Sequence, residues 1–316
     1  MKEIIPSYYP KFRCIADRCR HSCCIGWEID IDEETLQNYD NPAVKLYDRF
    51  QKQIDREDAP HFRLDKDERC PFLTDTGLCE IILTMGEENL CQICADHPRF
   101  RNFFSDRTEV GLGLCCEAAA ELILFQTEPV CWLTAEDDGE PDIPTPEETE
   151  FLTLREQVYA VLQNRKAPIS IRLAEMLTLC GGQIPEKPVG LWAESYRTLE
   201  RLDPAWDDVL QRLSADTAPL TMPDADTPWD LQLENLAVYF AFRHLAGALD
   251  DDRLAARAAF CVLSILFLYT LFRKTEMQKG SLSPADMIEL VRLYSSEIEY
   301  SEDNMECLFD ELEALL

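Results

Sequence analysis

The sequence predicts a mainly α-helical protein: an irregular, cysteine-rich, metal-binding N-terminal region with little β, followed by an all-α helical bundle. Three observations predict it. Ten of the fourteen cysteines fall between Cys14 and Cys116. An acidic stretch, "TAEDDGEPDIPTPEE" at residues 134–148, carries three prolines and one large apolar side chain, Ile143, as an exposed linker does. Beyond it, apolar residues recur at spacings of three and four behind repeated helix-start patterns. The expected division is 1–133 as a cysteine-cluster metal-binding domain, 134–148 as an acidic proline-rich linker and 149–316 as an all-α helical domain.

The helical elements are legible from their starts. Thr145 before Pro146, Glu147 and Glu148 gives an N-cap, a proline at the first position and acid in the first turn. Phe151, Leu154, Val158, Val161 and Leu162 then line one face. Further starts stand at Ser170, Asp203-Pro204, Thr227-Pro228 and Ser283-Pro284 with Asp286. About six or seven helices are expected, by usual helix lengths. The innermost contains the uncharged run between Arg257 and Arg273, whose fifteen residues fall short of the roughly 20 that span a bilayer.

The N-terminal region is mixed. "DEETLQNYDNPAVKLYDRFQKQI" reads as helix interrupted at Asn41-Pro42, "CPFLTDTGLCEIIL" as a small hairpin turning at Gly77, and "CCEAAAELILFQ" as helix. No period of 20 to 50 residues repeats, which excludes a solenoid.

Charge narrows the function. Asp and Glu number 60 against 30 Lys and Arg, a net charge of −30. A nucleic-acid surface is excluded on these grounds, because binding there neutralises phosphates, and an anionic membrane surface for the same reason. The start, "MKEIIPSYYPKF", has no apolar signal core, and a cytoplasmic location is expected. In a reducing compartment fourteen cysteines are not disulfides by default. Cys131, Cys180, Cys261 and Cys307 are scattered, as small buried hydrophobes are.

The clustered ten, Cys14, Cys19, Cys23, Cys24, Cys70, Cys79, Cys91, Cys94, Cys115 and Cys116, are the candidate metal ligands. Thiolates select zinc and iron–sulfur centres. Only one C-x2-C knuckle exists, Cys91 to Cys94, and ten thiols exceed what one tetrahedral zinc takes. Adjacent Cys23 and Cys24 would aim two thiolates from one bend, with Trp27 keeping water from the metal. A thioredoxin-type pair is disfavoured, since "ENLCQICADHPRF" has no βαβ setting.

"FRC....C...CCIGWEIDI", "CPFLTDTGLCEI", "LCQICADHPRF" and "GLCCEAA" resemble the flagellin lysine-N-methylase (FliB-like) family, within a wider group of zinc- or iron-chelating cysteine-cluster domains. Cys14, Cys19, Cys23, Cys24, Cys70, Cys79, Cys94 and one of Cys115 or Cys116 match the wider pattern in order, over about the first 120 residues. The family pattern ends Ser-Cys-Pro-Glu where this chain has Leu114, Cys115, Cys116 and Glu117, so Cys115 is the better match. The resemblance implies methyl transfer from S-adenosylmethionine to lysine ε-amines of flagellin, or another lysine-bearing protein, assisted by an iron–sulfur cluster of the 4Fe–4S type. A radical-type C-x3-C-x2-C signature is absent, because Cys24 follows Cys23 immediately. Zinc is the alternative metal, and a non-enzymatic zinc- or iron-stapled interaction module the alternative function.

No glycine fingerprint follows a clear strand; Gly111 and Gly113 in "EVGLGLCC" read as loop-to-helix packing. Catalytic and S-adenosylmethionine-binding residues are not assigned by the sequence. His21, His61, His97 and His244 are all the histidines, and His97 follows Cys94 by three residues. Tyr8 and Tyr9 precede Cys14, where aromatics either pack or enclose an alkylammonium.

Overall fold

The computed structural model describes residues 2–57, 59–137 and 142–315. In chain order the elements are β1 (Lys2–Pro6), α1 (Glu33–Tyr39), α2 (Tyr47–Gln53), β2 (Ile54–Asp55), β3 (His61–Phe62), α3 (Glu80–Met85) and α4 (Gln92–Asp96). There follow β4 (Arg99–Phe103), β5 (Arg107–Leu112), α5 (Glu117–Leu124) and β6 (Trp132–Asp137). The remaining helices are α6 (Pro146–Leu162), α7 (Ile169–Cys180), α8 (Val189–Thr198), α9 (Ala205–Leu213), α10 (Asp230–His244), α11 (Ala248–Asp251), α12 (Leu254–Lys279), α13 (Pro284–Ile298) and α14 (Glu302–Glu313). The fold is mainly helical, as expected.

The chain divides into two compact units, Arg13–Arg99 and Met1–Phe12 together with Phe100–Leu316. This division differs from a boundary at 134–148, and the reason is a sheet. Strands run in the order β4-β5-β1-β6, so the N-terminal β1 lies between its neighbours. It pairs in parallel with β5 (Lys2 opposite Arg107) and antiparallel with β6 (Pro6 opposite Trp132), with an irregularity at Glu3 and Ile4. Residues 134–137, the first four of the expected linker, are therefore strand, the end of β6. Residues 138–141 of that expected linker lie outside the described residues.

The helix starts stand close to where the sequence puts them. Thr145 and Ser283 each close a capping box, with Glu148 and Asp286 at the third helical position. Helix α7 begins one residue before Ser170, and its first N–H donates to Asp230 Oδ1 at 2.9 Å. Among the described residues nine α-helices follow residue 145, not six or seven. The additional ones are α8, preceded only by Pro188, the single turn α11, and α14, capped by Ser301.

Helix α12 supplies the centre of the helical core, with Phe260, Cys261, Val262, Leu263, Ile265, Phe267 and Leu268 all buried. It runs well past the uncharged fifteen residues because Arg257, Arg273 and Lys274 continue the helix, and Gly280 ends it at φ +80°. It is thus the one helix among the described residues long and apolar enough to cross a membrane, and 78% of its most apolar window is buried. Helix α10 is buried nearly all round, so its polar residues need partners. Glu234 receives Arg165 Nη2 at 2.8 Å and Arg172 Nη1 at 2.5 Å, and Asn235 donates to the carbonyls of Leu124 and Gln126. Arg155 of α6 reaches Glu109 of β5, both side chains nearly fully buried.

The Arg13–Arg99 unit has its own small core. Tyr39 and Phe50 stack at 3.8 Å between centroids, and Phe62 and Phe72 pack at 5.0 Å. Ile29, Ile31, Ile54 and Ile81 complete it, together with buried Cys70 and Cys91. The expected hairpin around Gly77 is reduced to one bridge, Leu73 to Cys79, because α3 starts at Glu80.

Candidate functional site

In the Arg13–Arg99 unit the adjacent cysteines lie on a bend stitched to residues 68–70. Gly26 N donates to Glu68 O at 3.0 Å, Cys70 N donates to Cys24 O at 2.8 Å, and Ile25 bridges Arg69. Gly26 has φ +92°, which a side chain rarely adopts, so glycine is required there. Trp27 Nε1 donates to Cys23 O at 2.6 Å, closing the bend, and its ring lies 6.1 Å from that of His97.

The second pair comes from α4. Cys91 is its N-cap and Cys94 lies one turn in, so the C-x2-C spacing puts both thiols on one side and in hydrogen-bond contact. Asp32 fixes where this helix begins: Oδ2 accepts from Gln92 N at 2.8 Å while Oδ1 caps α1 through Thr35 N at 2.9 Å. Cys79 is the N-cap of α3 and Cys70 starts the turn before it.

The electrostatics identify a common neighbourhood. The Cys23 contact, with Ser22 and Arg69, pulls Cys24 down to about 7 against its burial. Burial pushes Cys70 up to about 12, and Cys24, Cys79 and Cys91 add to it. Burial also raises Cys79, again with Cys24 and Cys91 adding to it. The Cys94 contact lowers Cys91, while Cys91 and burial hold Cys94 far above the usual thiol range. Cys24, Cys70, Cys79, Cys91 and Cys94 therefore act on one another across the edge of one apolar core. Among the described residues no group of three or more His, Cys, Asp or Glu stands already drawn together as a metal cage. The donor chemistry suits a thiophilic metal, whose binding would displace protons from the thiols.

The other candidates make local contacts of their own. Cys14 is exposed, with its sulfur accepting from Ala16 N at 3.4 Å, and Cys19 Sγ donates to His21 O at 3.3 Å. His61 Nδ1 pairs with Ala59 O at 2.8 Å. His97 is held neutral, pushed down to about 4 by burial and then by Arg99. Tyr8 is 3% exposed in the helical core and packs there.

Cys115 and Cys116 belong to the helical unit, just before α5. There Cys115 meets a buried polar network that sequence reasoning did not assemble. Cys115 lies in hydrogen-bond contact with Tyr300, and burial pushes its thiol up to about 12 against the pull of Tyr300 and Arg243. Leu114 N donates to Tyr239 Oη at 3.3 Å, and Tyr239 Oη donates to Glu299 at 3.0 Å. His244 Nε2 contacts Glu299 Oε1 at 2.6 Å, and Arg243 Nη1 donates to Tyr239 Oη at 2.8 Å. Burial would raise the Glu299 carboxyl, but Arg243 and His244 hold it below its usual value. The two glycines of the sequence are explained by close approach: a Cβ on Gly111 would lie 2.2 Å from Phe100, and one on Gly113 would lie 2.1 Å from Tyr300 Oη. The signal that could have revealed this network was Arg243-His244 closing an otherwise apolar run, with Glu299 and Tyr300 at the end of another.

Residues 191–315 match the family model described as FliB lysine N-methylase C-terminal domain. They span α8 to α14 and include Arg243, His244, Glu299 and Tyr300, while all ten clustered cysteines lie N-terminal to the match. Among curated proteins the chain is 27% identical over 134 residues to a lysine-N-methylase of Salmonella choleraesuis (strain SC-B67), covering 39% of this chain and 33% of that protein. A lysine-N-methylase of Salmonella typhimurium is 26% identical over the same shares. The flagellar biosynthetic protein FliU of Salmonella muenchen is 25% identical, over 39% of this chain and 79% of its own length. The match thus spans about a third of the length of the two lysine-N-methylases. No solved structure matches.

Proposed function

We propose that this chain, which is FliB-like across residues 191–315, is a protein-lysine N-methyltransferase acting on flagellin or a flagellin-like protein. The observation that carries the reading is the conjunction of that match with a thiol neighbourhood in the same chain, Cys24, Cys70, Cys79, Cys91 and Cys94. S-adenosylmethionine is the proposed methyl donor, and a cysteine-ligated iron–sulfur cluster, of the 4Fe–4S type, the proposed assistant. Three or four thiolates, as one 4Fe–4S centre takes, would be drawn from those five cysteines, with Cys14, Cys19 and Cys23 as further candidates in the same unit. When bound, iron with an open coordination position supplies a seat for the amino and carboxylate groups of the donor.

The chain's own residues do the rest. Trp27 and Gly26 fix the bend that presents Cys23 and Cys24, and Asp32 sets the start of the helix that presents Cys91 and Cys94. The acceptor must be neutral to attack, and a free lysine with a pKa of about 10.4 is not. Net charge −30 favours a lysine-bearing client over an anionic one.

A zinc- or iron-stapled interaction module is the second reading. The burial of Cys70 and Cys91 within the small apolar core favours it, since a structural site closes a small domain in that way. One experiment separates the two. The chain is purified without oxygen, iron, sulfide and zinc are counted per chain, and methyl transfer from labelled S-adenosylmethionine to flagellin is followed. Stoichiometric iron and sulfide with labelled lysine supports the enzyme. Stoichiometric zinc, a colourless protein and no transfer would establish the staple.

A further inference from the structure

The segment between α7 and α8 carries Lys187, and its ammonium is received by three groups of different kinds. Nζ lies 4.2 Å from the centroid of the Trp192 ring, over its face. It donates to Ser195 Oγ at 2.5 Å and to Glu311 Oε1 at 2.5 Å. Ser195 Oγ in turn donates to Glu311 Oε1 at 3.0 Å, so the hydroxyl and the carboxylate form one acceptor. An aromatic face, a carboxylate and a hydroxyl converging on one cation are what an alkylammonium receptor needs.

The receptor and its occupant differ in how they are held. Trp192 and Ser195 are three residues apart on α8, hence on one face, and Glu311 projects from α14. Trp192 is fully buried, so its ring is locked by packing. Lys187 instead sits on the connection between Gly181, at φ +70°, and Pro188, where Gln183 and Glu186 are exposed. The Lys187 side chain is 18% and that of Glu311 29% exposed, so the site is partly open to solvent. The three receiving residues also lie inside the matched region, whereas Lys187 precedes it.

We infer that Trp192, Ser195 and Glu311 form a binding site for the ammonium of a lysine side chain, which Lys187 fills from within the chain and for which a partner's lysine competes. This deepens the methyltransferase reading, on which it rests for the identity of the partner, by naming where a lysine is held. The binding itself is testable without methyl transfer. A lysine tethered by a short segment has an effective concentration of order millimolar, so the unaltered chain should bind an external lysine weakly.

The test uses the full chain with Lys187→Ala, probed with Nα-acetyl-lysine methylamide and, as the isostere without the ammonium, Nα-acetyl-norleucine methylamide. Trp fluorescence and the thermal midpoint are read. Saturable binding of the lysine probe, at least tenfold tighter than to the unaltered chain and at least tenfold tighter than the norleucine probe, is expected. Adding Glu311→Gln should abolish it. If the alanine variant does not fold, Lys187→Met keeps the stem, and n-butylammonium in place of n-butanol should raise its midpoint. Equal responses to the charged and neutral probes, or no saturable response, overturns the inference. Lysine binding without methyl transfer would keep this site and remove the enzymatic reading.

Discussion

Arg155 and Glu109 join α6 to the sheet through a pair from which water is excluded, with side chains 4% and 3% exposed. Arg155 Nη1 donates to Glu109 Oε2 at 2.8 Å. The guanidinium also lies 5.2 Å from the Phe104 ring, 5.3 Å from Phe151 and 5.7 Å from Tyr159. The two partners should therefore respond unequally to removal. Arg155→Met strands a carboxylate in an apolar setting, a loss of about 3–5 kcal/mol for a broken buried pair. Glu109→Gln leaves a cation that the rings still stabilise, each by about 0.5–2 kcal/mol, so its cost falls below that of Arg155→Met. The double change removes both charges and should recover a large part of the loss. Urea unfolding followed by Trp fluorescence, with the Met1–Phe12 and Phe100–Leu316 transition fitted separately, measures all three. Single changes each costing under about 1 kcal/mol, with no coupling in the double-mutant cycle, would refute the reasoning.

Other outcomes follow from the same contacts. Gly113→Ala places a Cβ 2.1 Å from Tyr300 Oη, so Tyr300 must leave Cys115, at a cost of about 1–3 kcal/mol for overpacking; an unchanged urea midpoint would contradict the close approach. Ser283→Ala removes one half of a capping box and should cost about 1 kcal/mol in the same unfolding assay. Asp286 is held down to about 2 by Lys279 and then Ser283. Its folded value lies below the ordinary 3.8, so the stability it confers is present above pH 3.8 and is lost as pH falls toward 2. Asp286→Asn should flatten the acid limb of the midpoint-against-pH curve across that window. Replacing Cys24 or Cys91 with alanine should lower the metal retained per chain more than replacing Cys131, an exposed cysteine outside the group; equal retention would remove both from the ligand set.

Helical segments were readable where local chemistry announced them. Thr145-Pro146 and Ser283-Pro284 state a helix start within four residues, because cap, proline and acid act over one turn. The sheet was not readable, since β1 is complete only when Arg107 and Trp132 arrive from more than a hundred residues away. The cysteines were legible as a group by their density. Which of them gather was not, because burial against Phe72 and Tyr39 in three dimensions selects Cys70 and Cys91. The network around Glu299 escaped for a related reason: Glu299, Tyr239 and Leu114 are distant in sequence and meet only when α10, α13 and the Gly113 loop pack.

The position of β1 inside the sheet sets an order of events at the ribosome. Its parallel partner begins at Arg107, so the whole Arg13–Arg99 unit is made between the two strands. At synthesis rates of about 5–20 residues per second, β1 waits about 5–20 s as an unpaired ribbon. In that interval the cysteine-bearing unit can acquire its core, and any metal it takes, before the helices that complete the chain exist.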